Sequence, residues 1–210
     1  MLRKGSITVA LILSFFILTN VVFAGNIAAQ AFGTRGVANV VGVKATIWTA
    51  NQPSGWYAIG SPDGVCTTTP PCNGQFFETG YAKGTITSPP NVLQQYAAWM
   101  TSGGSTVNQF GLGNLSNNTW YTFMVVWNNA TGRWDAYRNG YKVFQSPTGL
   151  GFTNGQMVAC GAEGGDAGVP LGVECSNMQY KVGSIWTQYD YTGTQTWGIG
   201  YYYCVTRPYP

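Results

Sequence analysis

The ionisable side chains of this sequence offer acid–base chemistry through carboxylates rather than imidazoles. The chain of 210 residues has no histidine, ten lysines and arginines, and seven acids. Its composition excludes Ser-His-Asp and Cys-His nucleophilic sites, histidine-ligated zinc and an imidazole pH switch. Catalysis by side chains would therefore fall to the acids, which are Asp63, Glu78, Asp135, Glu163, Asp166, Glu174 and Asp190.

Glu78 interrupts an aromatic run that has the pattern of a strand. Because side chains alternate along a strand, Glu78 shares a face with Phe76, while Phe77 and Tyr81 share the other face. If Phe76 faces a buried or concave side, Glu78 is desolvated there and its pKa rises. If Phe77 faces the core instead, Glu78 lies on the solvent side. Both orientations stay open at this point.

A second acidic segment, residues 160–166, places Glu163 and Asp166 around two glycines. Glycine beside a carboxylate lets a substrate backbone approach closely. The same Gly-Gly-Asp string is also ordinary turn chemistry. Taken alone, the segment therefore does not distinguish a site from a turn.

Together, the two segments resemble the catalytic strands of the glutamic peptidases, the secreted β-sandwich class that includes eqolisins and neprosins. The string Phe76-Phe77-Glu78-Thr79-Gly80 is similar to the eqolisin string in which Gln-Thr-Gly follows an apolar pair, with glutamate in place of glutamine as in neprosins. Further strings similar to family motifs are Gly55-Trp56-Tyr57-Ala58-Ile59-Gly60, Asp63-Gly64 with Cys66, Tyr96-Ala97-Ala98-Trp99 and Thr131-Gly132-Arg133-Trp134.

The resemblance implies a catalytic pair made of Glu78 and a second carboxylate. Aligning the glycines selects Asp166, whereas aligning side-chain type selects Glu163, because the spacing here is one residue shorter than in the families. The implied activity is an acid-favoured endopeptidase in which one carboxylate activates a water and the other donates a proton to an extended peptide. Trp56, Tyr81 and Trp99 would line its cleft, and no metal or cofactor is implied.

The elements that would position these residues are strands separated by Gly, Pro and Asn. Asn139-Gly140 is the standard two-residue hairpin turn, here between Arg133 and Phe144. The spacing of residues 92–100 favours one short helix. The other expected strands are Val41–Thr49, Phe76–Lys83, Trp120–Trp127, Met157–Gly161, Gln179–Trp186 and Thr196–Val205.

This pattern predicts an all-β fold, an antiparallel β-sandwich or jelly roll of the concanavalin-like kind, formed by residues 41–210 as a single domain. Residues 25–40 would be an N-terminal extension. With 45% hydrophobic residues and 8% charged ones, the chain can bury a sizeable core. A net charge of +3 is too small for a nucleic-acid-binding protein, which needs clustered basic residues.

Residues 1–24 have the layout of a secretory signal peptide, with Arg3 and Lys4 before an apolar run that ends near Ala24. Ala31 ends a second possible cleavage site. An uncleaved leader would act as a membrane anchor, and a prepilin-type leader would be cut after Gly5. The favoured interpretation is a secreted protein.

Export permits disulfide bonds, because secretory compartments are oxidising. Sequence alone does not fix which cysteines pair, and the proximity of Cys66 to Cys72 and of Cys160 to Cys175 suggests those pairs, with Cys204 left over. Asn114, Asn117 and Asn129 lie in Asn-x-Ser/Thr sequons, which predicts exposed positions in a glycoprotein.

Two other functions compete with the peptidase. A carbohydrate-binding module would stack Trp134, Tyr137 and Tyr141 of the hairpin against a polysaccharide. A glycosidase fits less well, since the Glu-x-Asp-x-x-Glu string of sandwich glucanases does not occur. A cell-surface or filament structural protein would explain the long leader and the tyrosine-rich C-terminal segment.

Overall fold

The computed structural model describes residues 29–49, 58–66, 75–83, 92–101, 107–164, 171–189, 193–197 and 200–205. Within these ranges the regular structure is all β, and no helix long and apolar enough to cross a membrane occurs there. The strands are β1 Ala29–Trp48, β2 Ala58–Cys66, β3 Phe76–Lys83, β4 Gln94–Met100, β5 Asn108–Asn114, β6 Trp120–Asn128, β7 Arg133–Arg138, β8 Tyr141–Gln145, β9 Gly155–Gly164, β10 Leu171–Val182, β11 Ile185–Gln188, β12 Gly193–Trp197 and β13 Gly200–Val205.

The strands pair in the order β5-β4-β3-β2-β9-β1-β6-β7-β8, and β10 joins β1 to β11 and β13. All ladders are antiparallel except β10–β13, which is parallel. We call the β5-β4-β3-β2-β9 part the first sheet and the β10-β1-β6-β7-β8 part the second sheet.

Aromatic side chains join the two sheets as the layers of a sandwich. Phe77 of the first sheet stacks on Trp134 and Phe144 of the second, with ring centroids 6.3 and 6.4 Å apart. Trp99 and Phe110 of the first sheet both stack on Phe144 at 5.6 Å. Buried residues of both sheets form one core cluster around these rings. The predicted β-sandwich is confirmed.

Strand β1 belongs to both sheets. Its first part pairs with β9 and β12, and from Gly42 onward it pairs with β6 and β10. The change of partners coincides with a register shift between Gly36 and Val40, where Asn39 has a φ of 59°. Residues 29–40, expected to precede the domain, therefore pair within the sheet.

The segment expected to be a short helix is strand β4. Its residues 94–98 are all buried, on both faces of the first sheet. A strand buried on both sides loses the polar–apolar alternation that marks strands, and its apolar spacing then imitates a helix. The hairpin prediction is confirmed, because Asn139 and Gly140 have φ values of 50° and 83° between β7 and β8, as a type I′ turn requires.

Candidate functional site

Glu78 lies on the outer face of the first sheet. Phe77 and Tyr81 of β3 point into the core and are fully buried, so Glu78 and Phe76 point the other way. Glu78 is half-buried, and the Tyr96 hydroxyl donates a hydrogen bond of 3.1 Å to its Oε1. We call this surface the Glu78 face, formed by Phe76, Glu78, Gly80 and Ala82 of β3 with Gln94, Tyr96, Ala98 and Met100 of β4.

The backbone register does not bring a second acid opposite Glu78. Its partners in the neighbouring strands are Ala98 and Gly64. Glu163 lies opposite Ile59, and Ile59 lies opposite Ala82. Ala82 is four residues from Glu78, so the two backbone positions differ by about 13 Å along the strands. Asp166, the other candidate partner, lies outside the described residues.

Two of the predicted cleft residues lie inside the sandwich. Tyr81 is fully buried in the core, and Trp99 is half-buried against Phe144. Both belong to the inner face of the first sheet because they alternate with the outer-face residues of β3 and β4. Neither side chain therefore lies on the same face of the first sheet as Glu78. Trp56 lies outside the described residues.

The outer face of the second sheet carries a strip of half-buried aromatic and polar side chains. Along β1 the odd residues Val43, Ala45 and Ile47 are buried, which leaves the even residues on the outside. We call this strip the tryptophan face. It consists of Gly42, Lys44, Thr46 and Trp48 of β1, their partners Val126, Met124, Thr122 and Trp120 of β6, and Trp186 with Lys181 at the β10–β11 end.

Trp186 occupies one end of the tryptophan face and reaches across β10 to β1. A Cβ placed on Gly42 would lie 3.3 Å from its Cη2 atom, so glycine leaves the space that the ring fills. Two ammonium groups approach this ring: Lys44 Nζ is 4.7 Å and Lys181 Nζ is 5.9 Å from the ring centroid. Both distances are those of cation–π interactions.

The other end of the face carries Trp48 and Trp120, whose ring centroids are 5.5 Å apart. Trp48 is six residues from Gly42, which places the two aromatic ends about 20 Å apart. Between them the hydroxyls of Thr46 and Thr122 are 2.9 Å apart and form a hydrogen bond. The face thus offers aromatic rings at both ends and hydrogen-bonding groups in between.

Strands β7 and β8 continue this surface with a buried carboxylate. Asp135 is 1% exposed and accepts hydrogen bonds of 2.8 Å from Asn128 Nδ2 and Gln145 Nε2. Lys142 Nζ is 3.7 Å from Asp135 Oδ1, and the Tyr137 hydroxyl donates to Oδ2 at 3.4 Å. Burial raises the pKa of Tyr137, and the charge of Asp135 and this hydrogen bond raise it further.

The hairpin aromatics do not form the sugar platform expected from the sequence. Trp134 is fully buried in the core, and its indole N–H donates to the Phe152 carbonyl at 3.1 Å. Tyr141 is 79% exposed at the hairpin tip, away from Tyr137. The residues missed by the sequence analysis are Lys44, Lys181 and Trp186, although the alternation of Gly42, Lys44, Thr46 and Trp48 could have revealed the polar face of β1.

The cysteine register favours another pair than the one expected. Cys175 is disulfide-bonded, and the residue opposite it in the parallel β10–β13 ladder is Cys204. Cys160 instead lies opposite Gly33, at the other end of β1 from Ile47, the β1 partner of Cys175. Adjacent strand positions have the Cα separation that a disulfide needs. The register therefore favours Cys204 over Cys160 as the partner of Cys175.

The remaining predicted positions divide between exposed and undescribed residues. Asn114, Asn117 and Asn129 are exposed, and their glycosylation stays a prediction. Cys66 ends β2, whereas Cys72 and residues 1–24 lie outside the described ranges. Among the described side chains, no group of three acids or cysteines could hold a metal ion.

Comparison with known proteins gives no family for this chain. No family model matches it. No curated protein matches it either. Solved structures that resemble it include a glycoside hydrolase family 16 endo-glucanase from Bacteroides ovatus, at 11% identity over 68% of this chain and 70% of that one, with a TM-score of 0.43.

Two further structures have similar values. A β-glucanase from Bacillus licheniformis is 16% identical over 62% of this chain and 55% of its own, with a TM-score of 0.40. A heptameric SAP-like pentraxin from Limulus polyphemus is 15% identical over 66% of this chain and 58% of its own, with a TM-score of 0.36.

These findings correct the resemblance to glutamic peptidases. No family model and no curated protein supports the short strings that suggested it. The register gives a physical reason, since Glu78 has no acid opposite it in either neighbouring strand. The neprosin-like interpretation is wrong, and an extended peptide substrate has no support.

Proposed function

We propose that this protein is an exported, non-catalytic β-sandwich that binds an extended polysaccharide along the tryptophan face. The observation that carries the proposal is the strip over β1 and β6, which has half-buried tryptophans at both ends and hydroxyl groups between them. Sugar rings present C–H surfaces that pack on aromatic faces and hydroxyls that exchange hydrogen bonds. The distance of about 20 Å between the aromatic ends suits several consecutive sugars rather than one.

The carboxylates with described side chains support binding without hydrolysis. Glu78 and Asp135 lie on the outer faces of opposite sheets. Glycoside hydrolysis usually needs two carboxyl groups that flank the scissile bond at a separation of roughly 5 to 9.5 Å. Asp135 is also fully engaged in hydrogen bonds below the surface. Neither carboxylate is placed to act with the other.

The test measures retention of the secreted protein in native gels that contain soluble polysaccharides, for the wild type and for Trp186→Ala. Loss of a buried aromatic anchor typically costs about 2 kcal/mol, so we expect dissociation constants to rise roughly 30-fold. Tyr141→Ala is the matched control, because it removes an aromatic ring that is 79% exposed outside the face. Its retention should equal that of the wild type.

The proposal fails if Trp186→Ala is retained as strongly as the wild type. The statement that the protein is non-catalytic also fails if the wild type releases reducing ends from the polysaccharide and Glu78→Gln does not. Since Glu78 lies on the other sheet, Glu78→Gln should leave polysaccharide retention unchanged.

A further inference from the structure

Two unpaired cations flank the aromatic ring at the β11 end of the tryptophan face. Among the described residues, Lys44 and Lys181 make no ion pair, and their ammonium groups lie 4.7 and 5.9 Å from the Trp186 ring centroid. Lys142, by contrast, is neutralised by Asp135 at 3.7 Å. Among the residues that define the tryptophan face, the positive charge is therefore concentrated at Trp186, and Arg133 lies farther away on β7.

The register fixes the spacing of the two cations. Gly42 lies opposite Lys181, and Lys44 lies opposite Gln179 in the same regular stretch of the β1–β10 ladder. Lys44 and Lys181 are thus diagonal neighbours, whose backbone positions are about 7 to 8 Å apart. Because both ammonium groups also lie 4.7 and 5.9 Å from the same ring centroid, they repel each other, and an anion placed between them relieves that repulsion.

The cation–π contacts hold both ammonium groups over the Trp186 ring. A sugar packed against the part of the ring that the lysines leave uncovered would bring its own substituents within reach of both lysines. A neutral sugar would offer them only hydroxyl acceptors, whereas a carboxylate or sulfate forms charge-assisted hydrogen bonds that are roughly twice as strong. The arrangement therefore selects for a negative charge on the sugar.

We propose that the ligand of the tryptophan face is an anionic polysaccharide, a polymer of uronic acids or sulfated sugars, whose acidic group binds between Lys44 and Lys181 while its ring packs on Trp186. This inference rests on the proposed function. It adds the chemical class of the ligand and the residues that recognise it.

The test compares polygalacturonate with fully methyl-esterified polygalacturonate, which has the same backbone without the charge. Titration calorimetry at low salt should give binding of the acidic polymer and about tenfold weaker binding of the ester. Affinity for the acidic polymer should fall as salt is raised from 10 mM to about 200 mM, because the shorter Debye length screens the attraction between the two ammonium groups and the acidic groups of the polymer.

Variants separate recognition of charge from a structural role. Lys44→Gln with Lys181→Gln should remove the preference for the acidic polymer, and Lys44→Arg with Lys181→Arg should retain it. Arg138→Gln is the control for loss of a positive charge away from the tryptophan face. Arg138 lies opposite the buried Phe123 and so on the other side of the sheet.

Equal affinity for both polymers with intact dependence on Trp186 would overturn the inference and leave the proposed function standing. Absence of any binding that depends on Trp186 would overturn both. Equal affinity for a single-stranded DNA oligonucleotide would also overturn both, because the face would then recognise phosphate charge rather than sugars.

Discussion

The outer faces of the two sheets differ in what they leave accessible. Around Glu78 the neighbouring side chains Phe76, Ala82, Tyr96 and Ala98 are at most 9% exposed. Trp48, Trp120 and Trp186 of the tryptophan face are half-buried and keep part of their rings accessible. Asp135 is the one acid on that side whose side chain is described, and it is buried, while the backbone of Glu174 lies opposite Trp48. A carboxylate within a strand therefore does not by itself mark a binding surface. Access to the strand's outer face decides which residues a large ligand could reach.

The largest loss of folding stability is expected in the core layer between the two sheets. Trp134→Ala should lower the free energy of unfolding by about 3 to 5 kcal/mol, because it empties a fully buried site between the sheets. Trp186→Ala, the matched substitution on the surface, should cost about 1 kcal/mol or less. Urea denaturation followed by circular dichroism measures both. Equal losses would mean that Trp186 belongs to the core and not to an accessible face.

A smaller effect is expected from the buried acid of the tryptophan-face sheet. Asp135→Ala should destabilise the protein by about 2 to 3 kcal/mol, since it leaves the side-chain amides of Asn128 and Gln145 without their acceptor. Asp135→Asn keeps one acceptor and should cost less. Thermal unfolding of the two variants checks the order, and a neutral effect of Asp135→Ala would contradict the hydrogen-bond network described for this sheet.

The fit of Trp186 against β1 predicts a more modest change. Gly42→Ala would place a Cβ 3.1 Å from the Val125 carbonyl oxygen and 3.3 Å from Trp186 Cη2, so the ring must shift. We expect a loss of stability of about 1 kcal/mol and weaker polysaccharide retention. Gly36→Ala on the same strand is the control, because a Cβ there meets nothing within 4 Å. Unchanged retention in Gly42→Ala would show that the ring position does not matter for binding.

The smallest effect is a pH dependence at the edge of the tryptophan face. Because the folded protein raises the pKa of Tyr137 above its ordinary value near 10, the unfolded chain releases this proton first as the pH rises. Stability from this group is complete below pH 10 or so and is lost as the pH rises through the folded pKa. Asp135→Asn should lower the Tyr137 pKa without returning it to the ordinary value, since burial remains. Titration of the tyrosine Cζ resonances by NMR measures the pKa of Tyr137 in both proteins.

The sequence predicted the fold from local patterns but not the site. Strand β3 was predicted with its observed bounds, and Asn139-Gly140 identified the hairpin, because both signals are local. Strand β2 was not among the predicted strands, since Ser61-Pro62-Asp63-Gly64 is typical of a turn. In the structure a register shift between Gly60 and Asp63 accommodates this string within the strand. The tryptophan face combines residues of β1 and β11, which are distant in sequence. No local pattern therefore predicts that Trp186 contacts Gly42.

Because β1 pairs in both sheets, its ladders join strands that are far apart in the sequence, which affects how the chain folds. Gln30 pairs with Trp197, and other ladders of the same strand reach β9 and β10, so the relative contact order is high. Chains with many such distant contacts fold slowly, because long loops must close before pairing stabilises them. The central strand therefore completes its pairing only with β9, β10 and β12, which follow it at a long distance in the sequence.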